Sequence, residues 1–447
     1  MTSYGALPFV VTPVPDNRPW ITGWGAVSPL GVGVPAFVAG LRAGASGVRK
    51  LRWADERIRS SVAAECVDFG DTESAAQVGV ADVDRLPRLV PLALAACREA
   101  LGMAGLVRGE GVGVGVRPEA SRRVGVILGT GGGGIDFTLD QAGAMNHGKR
   151  PSVWSITNAT HGNLAGELSI RLGCKGPSMC ISTGCASSSD ALGLAMDQLR
   201  AGRPGSPDAW VVVGADAHVR WETLLGMEMM KVISLRAFES DVDAATASRP
   251  FSLSRAGFVL GEGAWAVVVE RPEFASERRS APLARAMGYG ATCDAFHRVR
   301  PSPDLLETAR AIQLAIEDAG WERESVEAIA YHGTSTALND ATETAAVKAA
   351  FGDHAAGLKG SSIKGAIGHP QGASGLASVV AMLACLSPAD GGVPVMPPTI
   401  NLREADPVCD LDYTPNEAAP ANVERVLVNC LAFGAKNSAL AFELPRK

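Results

Sequence analysis

The sequence predicts a layered α/β fold, because short apolar runs alternate with stretches of helical spacing along most of its 447 residues. A hydrophobic fraction of 47% beside 20% charged residues fits a packed globular core. The length suits two domains or one large duplicated unit.

Taken in order, residues 1–19 carry Pro8, Pro13, Pro15 and Pro19, which disfavour a helix and predict an extended surface arm. From Trp20 the pattern becomes regular. Val124–Leu128, Trp210–Val213, Ala264–Glu270, Ala328–Tyr331, Val426–Asn429 and Ala439–Leu444 are rich in Val, Ile or Leu without polar alternation. Most of these read as strands buried on both faces. Apolar spacing near 3.6 predicts helices over Leu89–Leu101, Ala186–Arg200, Leu305–Ala319, Ala341–Phe351 and Gly375–Leu386. The last is apolar on almost every side, which marks a helix in the middle of a fold. The charged, Pro-containing connection Glu270–Pro282 divides the chain into halves 20–272 and 280–447. Small-residue turns open an apolar helix in both, at Thr183–Ser188 and at Gly368–Gly375. That similarity alone does not establish duplication.

A net charge of −6 argues against bulk attraction to nucleic acid or an anionic membrane. The nine cysteines are odd in number and contain no C-x-x-C pair, so neither a disulfide framework nor a zinc site is expected. A reducing, cytoplasmic compartment fits this usage. The first residues lack a basic stretch followed by an apolar one, so no secretory signal is expected. Apolar stretches such as Leu376–Leu386 fall far short of a bilayer span.

Three residues carry chemistry. Cys185 follows a β-like run (Met179–Ser182) and precedes a long helix. A thiol there sits at the positive end of the helix dipole, which favours the thiolate. His332 and His369 each occupy a Gly- and Ser/Thr-rich turn at the end of a predicted strand. A free cysteine is usually a small core hydrophobe, and a lone turn histidine is usually structural. The three together form a set suited to nucleophilic catalysis. The run Gly129–Gly134 lacks a following Lys-Ser/Thr, which excludes a P-loop.

These segments resemble the signatures of β-ketoacyl-acyl carrier protein synthases, members of the thiolase-like fold. The Cys185 turn resembles the active-site cysteine motif. His332-Gly333-Thr334-Ser335-Thr336, with Asn339-Asp340 and Glu343, resembles the first histidine motif; Lys364 to His369 resembles the lysine and second histidine motif. The resemblance runs from about Ile21 to Leu444 through Thr22–Gly25, Arg249–Phe251, Gly261–Gly263, Pro398–Leu402, Asp410–Asp412 and Phe433-Gly434 with Asn437.

The resemblance implies a layered α/β/α/β/α architecture of two related halves. The first carries the nucleophile and the second both histidines. Cys185 would accept an acyl group from a carrier protein as a thioester. A malonyl-type extender would lose carbon dioxide, and the carbanion would attack that thioester. His332 and His369 would donate to the enolate oxygen, and the amides of Cys185 and Phe433 would hold the tetrahedral oxyanion. Lys364 and Glu343 would form a supporting ion pair. Thr334 and Thr336 would bind the pantetheine arm, although turn chemistry explains those hydroxyls equally well. No cofactor or metal is implied. The implied partners are an acyl carrier protein with phosphopantetheine-linked substrates and a second subunit, identical or related, paired through Pro177–Ser182. Two alternatives are a non-catalytic chain-length subunit and a coenzyme A-dependent thiolase-like enzyme. Retention of Cys185, His332 and His369 argues against the first. The second needs another reactive cysteine, for which Cys430 is the candidate, though it lies outside a matching motif.

Three departures from the family pattern carry expectations. Gly434-Ala435-Lys436 has one glycine fewer, predicting a stiffer loop. Arg298-Val299-Arg300-Pro301 replaces a Gly-rich loop and adds positive charge at the substrate entrance. Tyr331 replaces a small residue and is expected to narrow the pocket.

Overall fold

Among the described residues, ten strands follow one another along the main sheet in an order that repeats itself. The computed structural model describes residues 17–53, 55–69, 85–108, 115–235, 243–388 and 391–445, so the predicted arm lies outside the described residues except for 17–19. The first half supplies β1 (Trp20–Ser28), β2 (Val124–Gly129), β3 (Ser178–Ile181), β4 (Ala209–Asp216) and β5 (Gly263–Glu270). The second supplies β6 (Ala284–Cys293), β7 (Ala328–Ala330), β8 (Lys359–Ser361), β9 (Arg425–Ala432) and β10 (Lys436–Glu443).

The order is β1-β5-β4-β2-β3 in the first half and β6-β10-β9-β7-β8 in the second. Directions repeat as well. The first two pairings of each half are antiparallel and the last two parallel. The halves meet where β1 runs antiparallel to β6 at Trp20–Arg285 and Ile21–Ala284.

The repeat extends to a shared packing device. β1 and β6 each carry a register shift followed by a Gly-x-Gly pair. Cβ atoms at Gly23 and Gly25 would lie 2.1 and 2.0 Å from the carbonyl oxygens of Ala100 and Ala96 in α1 (Leu89–Met103). At Gly288 and Gly290 they would lie 2.0 and 2.2 Å from those of Ala315 and Ala311. Glycine lets helix and strand backbones touch. These glycines also hid β6 from the apolar-run reading, which places no strand there.

Three apolar clusters separate five layers. One joins α1 and α2 (His161–Leu172) to the first sheet. A central cluster holds α3 (Ser187–Ala201) and α6 (Ser374–Leu386) between the sheets. The third joins α4 (Leu306–Ala319) and α5 (Ala337–Phe351) to the second sheet. Every residue of α6 is buried, as its all-round apolar pattern predicts. Each buried Leu or Val there contributes about 1.5–3 kcal/mol. Among the described residues no helix is long and apolar enough to cross a membrane.

The layering brings the two helix N-termini together. The Ser188 hydroxyl accepts from the Leu376 amide at 3.0 Å. A Cβ at Gly375 would lie 2.1 Å from Ser189 Oγ. The nucleophile turn and the second histidine turn therefore face each other.

Candidate active site

Cys185 sits in the turn Gly184–Ala186 between β3 and α3, with only 4% of its surface exposed. Gly184 has φ of 66°, and a Cβ there would approach the Phe433 carbonyl at 3.1 Å. Glycine thus lets the loop after β9 close on the nucleophile. The Ser187 hydroxyl ties the turn down, bonding the Gly184 carbonyl at 2.6 Å and accepting from the Thr183 amide at 2.9 Å. Burial pushes the Cys185 thiol up to about 11, while Lys364 and the Phe433 amide pull the other way.

His332 follows β7. Its amide and that of Gly333 donate to the Glu343 carboxylate at 2.6 and 2.7 Å, and Asn429 Nδ2 donates to it at 2.6 Å. Lys364 Nζ donates to the His332 carbonyl and lies 3.4 Å from its Nδ1. His369 follows a bridge to Leu260, and its Nδ1 lies 2.9 Å from Ser374 Oγ. The imidazoles meet edge to face, with centroids 5.2 Å apart. The thiol and one nitrogen from each ring lie within 4.8 Å of one another. Burial first, then Lys364, holds both histidines well below the usual imidazole range, so both are neutral near pH 7. A neutral imidazole whose Nδ1 accepts a hydrogen bond carries its proton on Nε2.

The expected Lys364–Glu343 ion pair does not form as a direct contact. Three N–H donors already occupy the Glu343 carboxylate, and Lys364 is turned toward His332. Both groups therefore brace His332, one through its amide and one through its carbonyl and ring. Burial raises Glu343 to about 7 and lowers Lys364.

A cavity of about 570 Å³ opens onto Cys185, His332 and His369. Thr334, Thr336 and Phe433 line it, as do Lys231 and Arg300. The two threonine hydroxyls are 3.0 Å apart, and that of Thr336 also caps α5 by accepting from the Asn339 amide at 3.2 Å. Thr336 thus takes the turn role while also lining the cavity. Tyr331 does not narrow this cavity. It packs against Phe251 and Tyr413, with ring centroids 5.3 and 5.1 Å away, on the far side of the turn. The Arg298–Pro301 segment does reach the entrance. Gly434 donates to the Arg298 carbonyl at 2.8 Å, fastening this segment to the loop after β9. Ala435 keeps the left-handed conformation, φ 63°, at the position of the missing glycine.

Sequence reasoning missed Asp216 and Gln371, and weighed Cys430 only as a second reactive cysteine. Asp216 is buried and accepts from the amides of Gly131, Gly132 and Gly372, locking the Gly-rich run against the second histidine turn. Cys430 lies 3.4 Å from His332 Nδ1 and donates to the Cys185 carbonyl at 3.1 Å. Gln371 reaches Cys185 Sγ with Oε1 at 3.9 Å. Only the proximity of Gln371 to His369 in sequence offered a signal.

The profile of the β-ketoacyl synthase N-terminal domain matches residues 17–275, and that of its C-terminal domain matches residues 283–403. The 3-oxoacyl-[acyl-carrier-protein] synthase 2 of Synechocystis sp. is 34% identical over 430 residues, spanning 96% of this chain and 98% of the relative. That of Staphylococcus aureus is 34% identical over 431 residues, with the same two coverages. Among solved structures, a type II PKS acyl-carrier protein in complex with its ketosynthase bound to the hexaketide gives a TM-score of 0.83 at 28% identity, covering 96% of this chain and 100% of that one. The ishigamide ketosynthase/chain length factor gives 0.82 at 31% identity, with the same coverages.

Proposed function

The chain belongs to the β-ketoacyl synthase family, acyltransferases of fatty-acid and polyketide synthesis, and we propose that Cys185, His332 and His369 are its catalytic set. The observation that carries this reading is the convergence of one thiol and two neutral imidazoles at the floor of a cavity.

Cys185 takes the acyl group from a carrier thioester and expels the pantetheine thiol. The extender then loses carbon dioxide, and its electron pair moves into an enolate. His332 and His369 stabilise that enolate with two fixed N–H donors in a buried site. The enolate carbon attacks the Cys185 thioester, and the amides of Cys185 and Phe433 hold the resulting oxyanion. Collapse releases the thiolate and the lengthened β-keto product. Lys364 and Glu343 position His332, and Thr334 and Thr336 hold the pantetheine arm.

Lys231 and Arg300 beside the cavity suit the phosphate of a carrier-bound pantetheine arm. A thiolase-like reaction is disfavoured because Cys430 lies at Nδ1 of His332, behind the ring, and not at the cavity. The repeated topology supports division into halves 20–272 and 280–447. Among the described residues β3 ends the sheet with no strand beyond it, and Val153, Ile156 and Ile170 expose 76–88% of their surfaces. An unpaired edge with apolar neighbours supports a dimer through β3, with a second copy or a related subunit. The sparse, odd-numbered cysteines without a C-x-x-C pair fit a cytoplasmic setting.

Intact-mass analysis after mixing the protein with several acyl-carrier proteins tests this function. The expected result is one acyl adduct, mapped to Cys185. Absence of any adduct across the set would overturn the reading.

A further inference from the structure

Gln371 lies in the turn Gln371–Ala373, 8% exposed, directly across from the nucleophile. Its Oε1 is 3.9 Å from Cys185 Sγ. Its Nε2 is buried and has no hydrogen-bond partner among the described residues. Pro370 precedes it, and its backbone adopts φ of 45°, a conformation most non-glycine residues avoid. Two neighbours hold this backbone: Gly372 donates to Asp216 at 2.6 Å and Ala373 to the Pro370 carbonyl at 2.9 Å. The fold thus keeps a primary amide against the reactive sulfur and leaves its donor end unused. An unpaired buried N–H group is costly, and the groups that persist in native structures usually serve a state not on view.

We propose that Gln371 is a further catalytic residue, whose side-chain amide turns over when Cys185 ionises and donates a hydrogen bond to the thiolate. In the thiol form, S–H donates to Oε1. When the proton leaves to solvent, the sulfur becomes an acceptor only and faces a carbonyl oxygen, which is unfavourable. Half a turn about the Cγ–Cδ bond exchanges the two ends of the amide and presents Nε2–H to the sulfur. The amide returns once acylation consumes the charge.

The surroundings leave this task open. Lys364, which acts on the thiol through its charge, directs its hydrogen bonds at the carbonyl and Nδ1 of His332 and shows none to the sulfur among the described residues. The two neutral imidazoles are reserved for the extender, the Cys430 thiol bonds the Cys185 carbonyl, and Asp216 opposes the thiolate. The Phe433 and Cys185 amides also lower the thiol, yet burial outweighs them together with Lys364.

The inference rests on Cys185 being the nucleophile, and one experiment separates the two. The full chain is alkylated with iodoacetamide from about pH 6 to 10, and modification of Cys185 is followed by peptide mass mapping. Gln371→Met, which keeps the shape but not the donor, should raise the apparent pKa by about one unit and slow alkylation about tenfold near pH 7. Gln371→Glu, a similar shape ending in an anion, should raise it further. If the Met variant follows the parent profile, or the Glu variant ionises as readily as the parent, the proposal is overturned. Should the Met variant fail to fold, the Glu variant decides. If parent Cys185 resists alkylation while other buried cysteines react, the nucleophile assignment falls and this proposal with it.

Discussion

Lys364 Nζ lies 3.4 Å from Nδ1 of His332 while it donates to the carbonyl of the same residue. An ammonium offers only donors, so the Nδ1 it faces is the acceptor nitrogen of the neutral ring. The ring proton is then on Nε2, where an enolate oxygen can use it. Ser374 stands at the same place on His369, its hydroxyl 2.9 Å from that Nδ1, and when it donates there the ring proton is on Nε2.

Lys364→Met should therefore act through His332. Without the cation, either ring nitrogen can carry the proton, and part of the population loses its donor. Burial first and Lys364 second hold His332 low, so removal also lets imidazolium form at a higher pH. Carbon dioxide release from a malonyl-carrier protein should fall about a hundredfold, the loss expected for one oxyanion donor. The deficit should shrink as pH falls, because imidazolium carries a proton on both nitrogens and so restores the Nε2–H donor. Unchanged release at all pH values would reject this positioning role.

Cys185→Ala should abolish acyl loading, and Cys180→Ala should leave it intact. Cys180 is on the edge strand β3, and burial raises its thiol to about 12. The pH dependence has a definite sign. Burial raises Cys185 to about 11, so its thiolate fraction, and with it the loading rate, should climb as pH rises through neutrality and above. An adduct in the Cys185→Ala protein, or loading that slows with rising pH, would count against the assignment.

The fold was most legible where packing depends on side chains. α6 announced itself because every face is buried, β2, β4, β5 and β9 because Val, Ile and Leu fill both faces, and β10 through the buried run Ala439–Phe442. β6 was not legible, since Gly288 and Gly290 serve the strand by lacking side chains, a signal that exists only once α4 is in place. In the site, Cys185, His332 and His369 stand in turns whose local chemistry is visible in the chain. Asp216 acts across 156 residues with nothing nearby to mark it, and Cys430, weighed only as a second reactive cysteine, acts across 245. The Lys364–Glu343 contact failed for a related reason, because opposite charges predict attraction but not which donors reach the carboxylate first.

The close-approach glycines give a stability test. Gly25→Ala and Gly290→Ala would bring a methyl group to 2.0 and 2.2 Å from a helix carbonyl oxygen, so helix and strand must separate. Each should cost about 3 kcal/mol, at the upper end of ordinary overpacking. Gly102→Ala is the control. It lies in α1 with nothing within 4 Å of its Cβ position, and should stabilise by about 0.5–1 kcal/mol. Thermal midpoints that shift alike in all three variants would contradict the packing argument.

The two histidines separate the steps of the reaction. If His332 and His369 stabilise the enolate, His332→Ala or His369→Ala should slow extender decarboxylation by about 10²–10³-fold. Self-acylation should suffer less, because it relies on the thiolate, the N-terminus of α3 and the amides of Cys185 and Phe433. Both rings are neutral near pH 7, so decarboxylation by the parent should show no imidazole titration between about pH 6 and 8. The measurement is carbon dioxide release from a malonyl-carrier protein beside mass-detected loading of Cys185, for each variant. Release at the parent rate in both variants would make the histidines structural. Equal loss of loading and release would instead assign them to shaping the nucleophile's pocket, which their 5.2 Å edge-to-face packing could also do. Only selective loss of release identifies two donors aimed at the enolate oxygen.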